Sequence, residues 1–132
     1  MLQKFVAWFR SFCNENVRRG RRGERLATWF LKRNGFRILD RNWRSGRYEL
    51  DIVAEKQGCV VFVEVRGRTQ NSLQSGFDSV GYKKKRAIQR ASCAYRHSHR
   101  GINSYRFDII SIDWDDQGKK PALHHYENVA MR

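Results

Sequence analysis

Two acidic residues stand in neighbouring stretches of the chain that are otherwise rich in β-branched and aromatic residues. They are Asp51, in residues 48–55 (YELDIVAE), and Glu64, in residues 59–66 (CVVFVEVR). The Gln57-Gly58 pair between the stretches predicts a hairpin with a two-residue turn. Counting back from that turn places Asp51 opposite Glu64 on one face, with about 4.5–5.5 Å between their Cβ atoms. Because Mg²⁺ binds one or two carboxylates together with water and phosphate, the pair predicts a divalent-cation site.

The register of this hairpin makes further predictions about its side chains. It pairs Lys56 with Cys59 beside the turn, and Glu49 with Arg66 at the far end. The second pair is also compatible with a simple cross-strand salt bridge. Alternation along the first strand should place Tyr48, Leu50, Ile52 and Ala54 on one face and Glu49, Asp51, Val53 and Glu55 on the other.

A third carboxylate, Glu24, precedes the hairpin in the chain. The apolar spacing predicts a helix from Gly23 to Asn34 that stops at Gly35, with Glu24 in its first turn. At about 100° per residue, Glu24 falls at the edge of the apolar stripe and should look along the domain. That stripe consists of Leu26, Ala27, Phe30 and Leu31.

These carboxylates suit the cleavage of phosphodiester bonds, which needs a cation to polarise a phosphoryl oxygen and activate water. We expect Asp51 and Glu64 to bind Mg²⁺ or Mn²⁺ directly and Glu24 to reach the same cluster through water or as an orienting group. Arg66, two residues beyond Glu64, could clamp the phosphate. It cannot act as a general base, since a guanidinium stays protonated at any useful pH.

A second helix is predicted from about Val80 to His97, and it carries a run of four basic residues. Lys84 falls within the apolar stripe, so its amine should be drawn toward the sheet and act either as a base or as a phosphate ligand. The neighbouring Lys83, Lys85 and Arg86 point elsewhere. The stripe consists of Val80, Ala87, Ile88, Ala91, Ala94 and Tyr95.

The net charge of +14, from 27 basic and 13 acidic residues, favours a polyanionic partner. Residues 1–48 carry +10 and residues 67–106 carry +8, whereas residues 49–66 between them carry −2. Carboxylates at the centre of a phosphate-binding surface repel the ligand unless they hold a cation. We therefore predict nucleic acid as the partner, ahead of an anionic membrane surface, with phosphate contacts from Arg47, Arg68, Lys83, Lys85 and Arg86.

A chain of 132 residues fits one domain with a core of its own. We expect that domain to cover residues 18–132, and residues 1–17 to form an arm or short helix that neither spans a membrane nor signals export. The odd number of cysteines, without a CxxC pair, favours a reducing environment and a cytoplasmic location. They are Cys13, Cys59 and Cys93.

Strands are also predicted at about 36–44 (FRILDRNWR), 105–112 (YRFDIISI) and, more briefly, 122–128. Together with the two helices and the hairpin, they give the order α-β-β-β-α-β, followed by the short strand. This order predicts an α/β fold in which helices flank a central mixed sheet.

Five short motifs complete the pattern: Gly23-Glu24, the runs Arg47–Val53 and Phe62–Arg66, Val80 with Lys84, and Arg106-Phe107-Asp108. In order and spacing they resemble the small bacterial YraN-like family over about residues 18–113. That family is similar in fold to archaeal Holliday junction resolvases and to PD-(D/E)xK nucleases, which implies a restriction-endonuclease-like core. The resemblance also implies catalytic roles for Glu24, Asp51, Glu64 and Arg66, and it makes a homodimer plausible.

The sequence departs from the superfamily pattern at two points. Arg66 stands where the motif has lysine, and Tyr48-Glu49 stands where the family has Gly-Glu. Three hypotheses stay open: a metal-dependent endonuclease acting on structured or branched DNA, a non-catalytic nucleic-acid-binding module on the same fold, and a protein-interaction adaptor that uses residues 1–17. DNA is favoured over RNA only by the resemblance.

Overall fold

A computed structural model describes residues 16–69, 80–115 and 120–132 of the chain. The predicted arm at residues 1–17 therefore lies outside the described residues except for its last two positions. The elements are α1 (Asn16–Arg33), β1 (Arg37–Ser45), β2 (Tyr48–Lys56), β3 (Cys59–Thr69), α2 (Tyr82–Ser98), β4 (Tyr105–Trp114) and β5 (Ala122–Tyr126).

The five strands form one mixed sheet in the order β1-β2-β3-β4-β5. Strands β1, β2 and β3 are an antiparallel meander, β4 runs parallel to β3, and β5 returns antiparallel to β4. The parallel step requires a crossover, which α2 provides. The predicted α/β fold with a central mixed sheet and flanking helices is confirmed.

Each face of the sheet packs against one helix and has its own apolar core. Alternate residues of β3 divide between the two, with Val61 and Val63 on the α1 side and Val60 and Phe62 on the α2 side. The α1 side also contains Leu26, Ala27 and Leu31, and the α2 side contains Ile88, Ala91 and Tyr95. Ala87, which the sequence placed in the second group, is exposed instead.

Helix α1 begins at Asn16, so the predicted start at Gly23 was wrong and Glu24 lies in the middle of the helix. Gly23 is buried against the sheet, where a Cβ atom would stand 3.4 Å from Ile112 Cδ1 and 3.7 Å from Val65 Cγ1. Gly23 therefore lies at the contact of helix and sheet, where a Cβ atom would make ordinary van der Waals contacts, and it does not mark a helix start. The predicted stop is confirmed: Gly35 has a φ of +84° just beyond the last turn.

Two irregularities interrupt the pairing of β1 with β2: a register shift lies between Ile38 and Asp40, and a gap lies nearer the middle of β1. Arg41 pairs with Ile52 and Trp43 pairs with Leu50, while Asn42 and Asp51 between them are passed over. Asn42 has a φ of 51°, which is unusual for a residue within a strand. Leu50 packs on the α2 side although Ile52 packs on the α1 side. The predicted single face for Tyr48, Leu50, Ile52 and Ala54 is therefore wrong, because the strand turns at this point.

Candidate functional site

The predicted carboxylate pair lies where β2 and β3 stop pairing. The Gln57-Gly58 turn pairs Lys56 with Cys59 as predicted, and the ladder continues to Ile52 and Val63. One residue further, the Val65 N–H donates to Asp51 Oδ2 at 2.9 Å, so a side-chain carboxylate takes the place of a backbone carbonyl. Asp51 and Glu64 are hydrogen-bonded to each other through their side chains. The two acids thus lie together at the point where the strands separate.

Glu64 is the most deeply buried acid of this group, with a side chain that is 7% exposed. Its burial, and then the neighbouring Asp51 carboxylate, raise the pKa of Glu64 to about 8. Lys84 Nζ on α2 lies 3.5 Å from Glu64 Oε1, and its charge acts in the opposite direction, as does that of Arg66. The amine of Lys84 therefore points to the sheet, where the helical spacing predicted it.

Glu24 approaches the pair from α1, on the other side of Asp51. Burial, followed by the charge of Asp51, raises the pKa of Glu24 above its ordinary value. A hydrogen bond from the Asn42 side chain and the charge of Arg41 act in the opposite direction. We call Glu24, Asp51 and Glu64 the carboxylate cluster, in which Asp51 interacts with both of the others.

The donor set of the cluster limits the metals that fit it. Over the described parts of the chain, no three His, Cys, Asp or Glu side chains converge as a ready-made metal cage. Asp51 and Glu64 nevertheless offer two adjacent carboxylates beside an open groove. Mg²⁺ and Mn²⁺ accept this arrangement, since Mg²⁺ commonly takes one or two carboxylates and completes its shell with water and phosphate. A structural zinc site, which needs four protein ligands, does not fit.

The predicted pairing of Glu49 with Arg66 was wrong. Glu49 pairs instead with Arg44 on β1, where Arg44 Nη2 lies 3.3 Å from Glu49 Oε1. The reason is the end of the β2–β3 ladder at Ile52, beyond which β2 stays with β1. Arg66 remains near enough to Glu64 for its charge to act on that carboxyl group.

Two basic grooves open beside the carboxylate cluster, and both contain Glu49. We call the first the arginine groove; it is lined by Gly20, Arg21, Glu24, Arg25, Arg41, Asn42, Arg44 and Glu49. We call the second the helix groove; it is lined by Arg47, Tyr48, Glu49, Lys84, Ala87, Ile88 and Arg90. Glu24 lines the first groove and Lys84, which contacts Glu64, lines the second, so these two residues connect the carboxylate cluster to both grooves, while Asp51 and Glu64 line neither.

The residues predicted to contact phosphate differ in their surroundings. Lys83, Arg86 and Arg47 are exposed, and Lys85 is partly buried. Arg68 is only 17% exposed, and its Nε lies 2.8 Å from Asp113 Oδ1, so its charge is used largely within the fold. Of the five, Arg47 is the one that lines the helix groove.

Sequence reasoning missed several residues of the site, all of them near the arginine groove. Arg21, Arg25, Arg41 and Arg44 were counted only as part of a basic block. Asn42 was not singled out, although asparagine tolerates positive φ and is unfavourable inside a strand. That combination was the signal available in the sequence.

In the described part of the chain, neither helix is both long and apolar enough to cross a membrane.

Comparison with known proteins places the site within a matched region. A model of the uncharacterised protein family UPF0102 matches residues 23–112, which include the carboxylate cluster and Lys84. A UPF0102 protein of Alkaliphilus oremlandii is 39% identical over 117 residues, covering 86% of this chain and 98% of the relative. One from Porphyromonas gingivalis is 37% identical over 111 residues, or 84% and 82% of the two chains. One from Myxococcus xanthus is 41% identical over 108 residues, or 80% and 83%.

Proposed function

Since this chain belongs to the UPF0102 family, whose name states no activity, we propose its function from the site itself. We propose that the protein binds nucleic acid and is a metal-dependent endonuclease that hydrolyses phosphodiester bonds in structured or branched DNA. The observation that carries this proposal is that the carboxylate cluster is connected to two basic grooves, to one through Glu24 and to the other through the contact of Glu64 with Lys84. Guanidinium and ammonium groups attract a polyanion, and the acids stand where its backbone would pass.

The chemistry of the cluster supports hydrolysis. A Mg²⁺ or Mn²⁺ ion held by Asp51 and Glu64 would supply the Lewis acid that phosphodiester cleavage needs. Arginines of both grooves would hold the backbone on either side of the scissile phosphate, because guanidinium binds phosphate with two parallel hydrogen bonds. Glu24 would orient the cluster from α1.

Lys84 is important for the proposal because Arg66 stands where the superfamily motif has lysine. A guanidinium stays protonated and cannot accept a proton, whereas a partly desolvated lysine can. Lys84 brings an amine to 3.5 Å from Glu64 from the opposite helix, with its side chain 42% exposed to the helix groove. We propose that Lys84 contacts the phosphate or exchanges a proton at the site; of these two roles, only proton exchange is closed to Arg66.

Cleavage and gel-shift assays test the proposal on linear, flapped and four-way-junction DNA and on a matched RNA. Each is run with Mg²⁺, Mn²⁺ or EDTA. We expect metal-dependent cutting by the wild type and a loss of about 10³-fold or more in Asp51→Asn and Glu64→Gln. The control is Glu55→Gln, on the same strand but in an exposed ion pair with Arg37, which should cut normally. Cutting that survives in EDTA or in Asp51→Asn would overturn the metal-dependent mechanism.

A second candidate is a non-catalytic nucleic-acid-binding module, which is favoured by the arginine at position 66. It predicts binding without cutting under every metal condition. Asp51→Asn would then bind nucleic acid as well as the wild type or more tightly, because a negative charge beside the phosphate is removed.

A further inference from the structure

The gap in the β1–β2 ladder coincides with the carboxylate cluster. Counting along the register, Asn42 would stand opposite Asp51, yet neither takes part in the pairing that continues on both sides of them. Asp51 also lies one residue beyond the β2–β3 ladder, so it is outside the pairing on both of its edges. This frees its carboxylate to accept the Val65 N–H and to interact with both Glu24 and Glu64.

Asn42 adopts a conformation that few residue types accept. Its φ of 51° lies in the left-handed region, in the middle of a nine-residue strand. The other non-glycine residues with positive φ in the described chain lie outside strands: Gln57 in the hairpin turn and Asn128 after β5. Non-glycine residues that are held in such sparsely populated backbone conformations cluster at active sites.

The side chain of Asn42 completes the link. It hydrogen-bonds the carboxyl group of Glu24 and lines the arginine groove together with it. One residue therefore combines two features: its backbone stands at the gap opposite Asp51, and its side chain hydrogen-bonds Glu24. A residue with regular strand dihedral angles at position 42 would be expected to pair with Asp51, and without an amide it would not hydrogen-bond Glu24 on α1.

We propose that Asn42 is a positioning residue of the carboxylate cluster, holding Glu24 beside Asp51 through its side-chain amide while its left-handed backbone keeps Asp51 out of the ladder. This inference rests on the proposed metal-dependent function and adds to it a residue outside the cluster. Groups that orient metal ligands in this way typically change metal affinity about 10–100-fold when they are removed.

The test uses Asn42→Gly, which keeps the positive φ without strain and removes only the amide. Its matched control is Asn128→Gly, the same change at a φ of 53°; the Asn128 contribution to Asp108 comes from its backbone N–H, which glycine retains. Full-length proteins are titrated with Mn²⁺ by calorimetry, and their melting temperatures in EDTA are measured. A second pair of variants consists of Glu24→Ala with and without Asn42→Gly.

We expect Asn42→Gly to bind Mn²⁺ about tenfold more weakly, with Asn128→Gly like the wild type and neither variant melting at a lower temperature in EDTA. In the Glu24→Ala background, which has no side-chain acceptor for the amide, the further effect of Asn42→Gly should vanish, because the amide acts through Glu24. Mn²⁺ affinity equal to wild type in Asn42→Gly, or an undiminished effect in the Glu24→Ala background, would overturn the positioning role alone. A wild type that shows no saturable Mn²⁺ binding would overturn the proposed metal site itself, and the role of Asn42 with it.

Discussion

Two buried carboxylates on neighbouring strands of this sheet have opposite surroundings. Asp108 on β4 is completely buried and accepts hydrogen bonds from Arg106 Nε and Nη2 at 3.0 and 3.2 Å and from the Asn128 N–H at 2.9 Å. His125 Nε2 lies 2.8 Å from it. Glu64 on β3, facing the other helix, has one amine at 3.5 Å and a second carboxylate beside it.

The pKa values of the two groups express this difference. Burial alone would raise the pKa of Asp108, but the hydrogen bonds from His125, Asn128 and Arg106 outweigh it and hold that pKa below its ordinary value. At Glu64, burial and Asp51 prevail and raise the pKa to about 8. The fold thus satisfies the charge of Asp108 by itself and leaves that of Glu64 short of positive partners. The first pattern is that of a structural acid, and the second suits a cation ligand.

The largest expected effect comes from neutralising the satisfied acid. Asp108→Asn leaves Arg106 and His125 facing an amide in place of their shared carboxylate, and we expect the free energy of unfolding to fall by about 3–5 kcal/mol. Urea denaturation measures this change. The control is Asp51→Asn, in the carboxylate cluster. The new amide oxygen can still accept the Val65 N–H, so the stability of this variant should stay near that of the wild type. Equal losses in the free energy of unfolding of the two variants would contradict the distinction between Asp108 and the carboxylate cluster.

Neutralising the unsatisfied acid should have the opposite sign. Because the pKa of Glu64 is raised from 4.5 to about 8, its contribution to stability is fully present below pH 4.5 and is lost as the pH rises through 8. In EDTA, Glu64→Gln should therefore be more stable than the wild type by roughly 2–3 kcal/mol at pH 9 and no different near pH 4.5. Urea denaturation across this pH range tests the sign. A wild type that becomes more stable relative to Glu64→Gln as the pH rises would contradict this prediction.

The contribution of Asp108 to the free energy of unfolding should depend on pH in the opposite way. Because the pKa of Asp108 is lowered in the folded protein, this contribution is present above the ordinary pKa of aspartate and is lost as the pH falls through the pKa of the folded state.

The smallest effect compares two arginines that the sequence treated alike. Arg47→Gln, in the helix groove, should weaken nucleic-acid binding uniformly and reduce the slope of log K against log salt by about 1. Arg68→Gln should leave that slope unchanged and lower the free energy of unfolding by about 1–2 kcal/mol, because it deprives the partly buried Asp113 of its partner. Binding assays from low to moderate salt, together with urea denaturation, separate the two outcomes. A reduced slope for Arg68→Gln would show that this residue does reach phosphate.

Much of the site followed from local patterns in the chain. The Gln57-Gly58 turn and the alternation of β3 were enough to bring Asp51 beside Glu64, and helical spacing alone directed Lys84 toward the sheet. Gly35 ended α1 where expected. These features depend on contacts between residues that are close in sequence or related by one hairpin. The spacing of residues in the sequence is therefore enough to predict them.

What the sequence determined by itself was therefore the order of elements, the family pattern and the identity of the acids. Only the tertiary structure decided that α1 begins before Gly23 and that Glu49 pairs with Arg44. It also decided that Arg68 forms an ion pair with Asp113, and that Asn42 stands at a gap in the ladder and hydrogen-bonds Glu24. Each of these depends on a partner brought close by the packing of helix on sheet or strand on strand. Periodicity shows which face a side chain prefers, but the charge and distance of its neighbour exist only once the chain has folded.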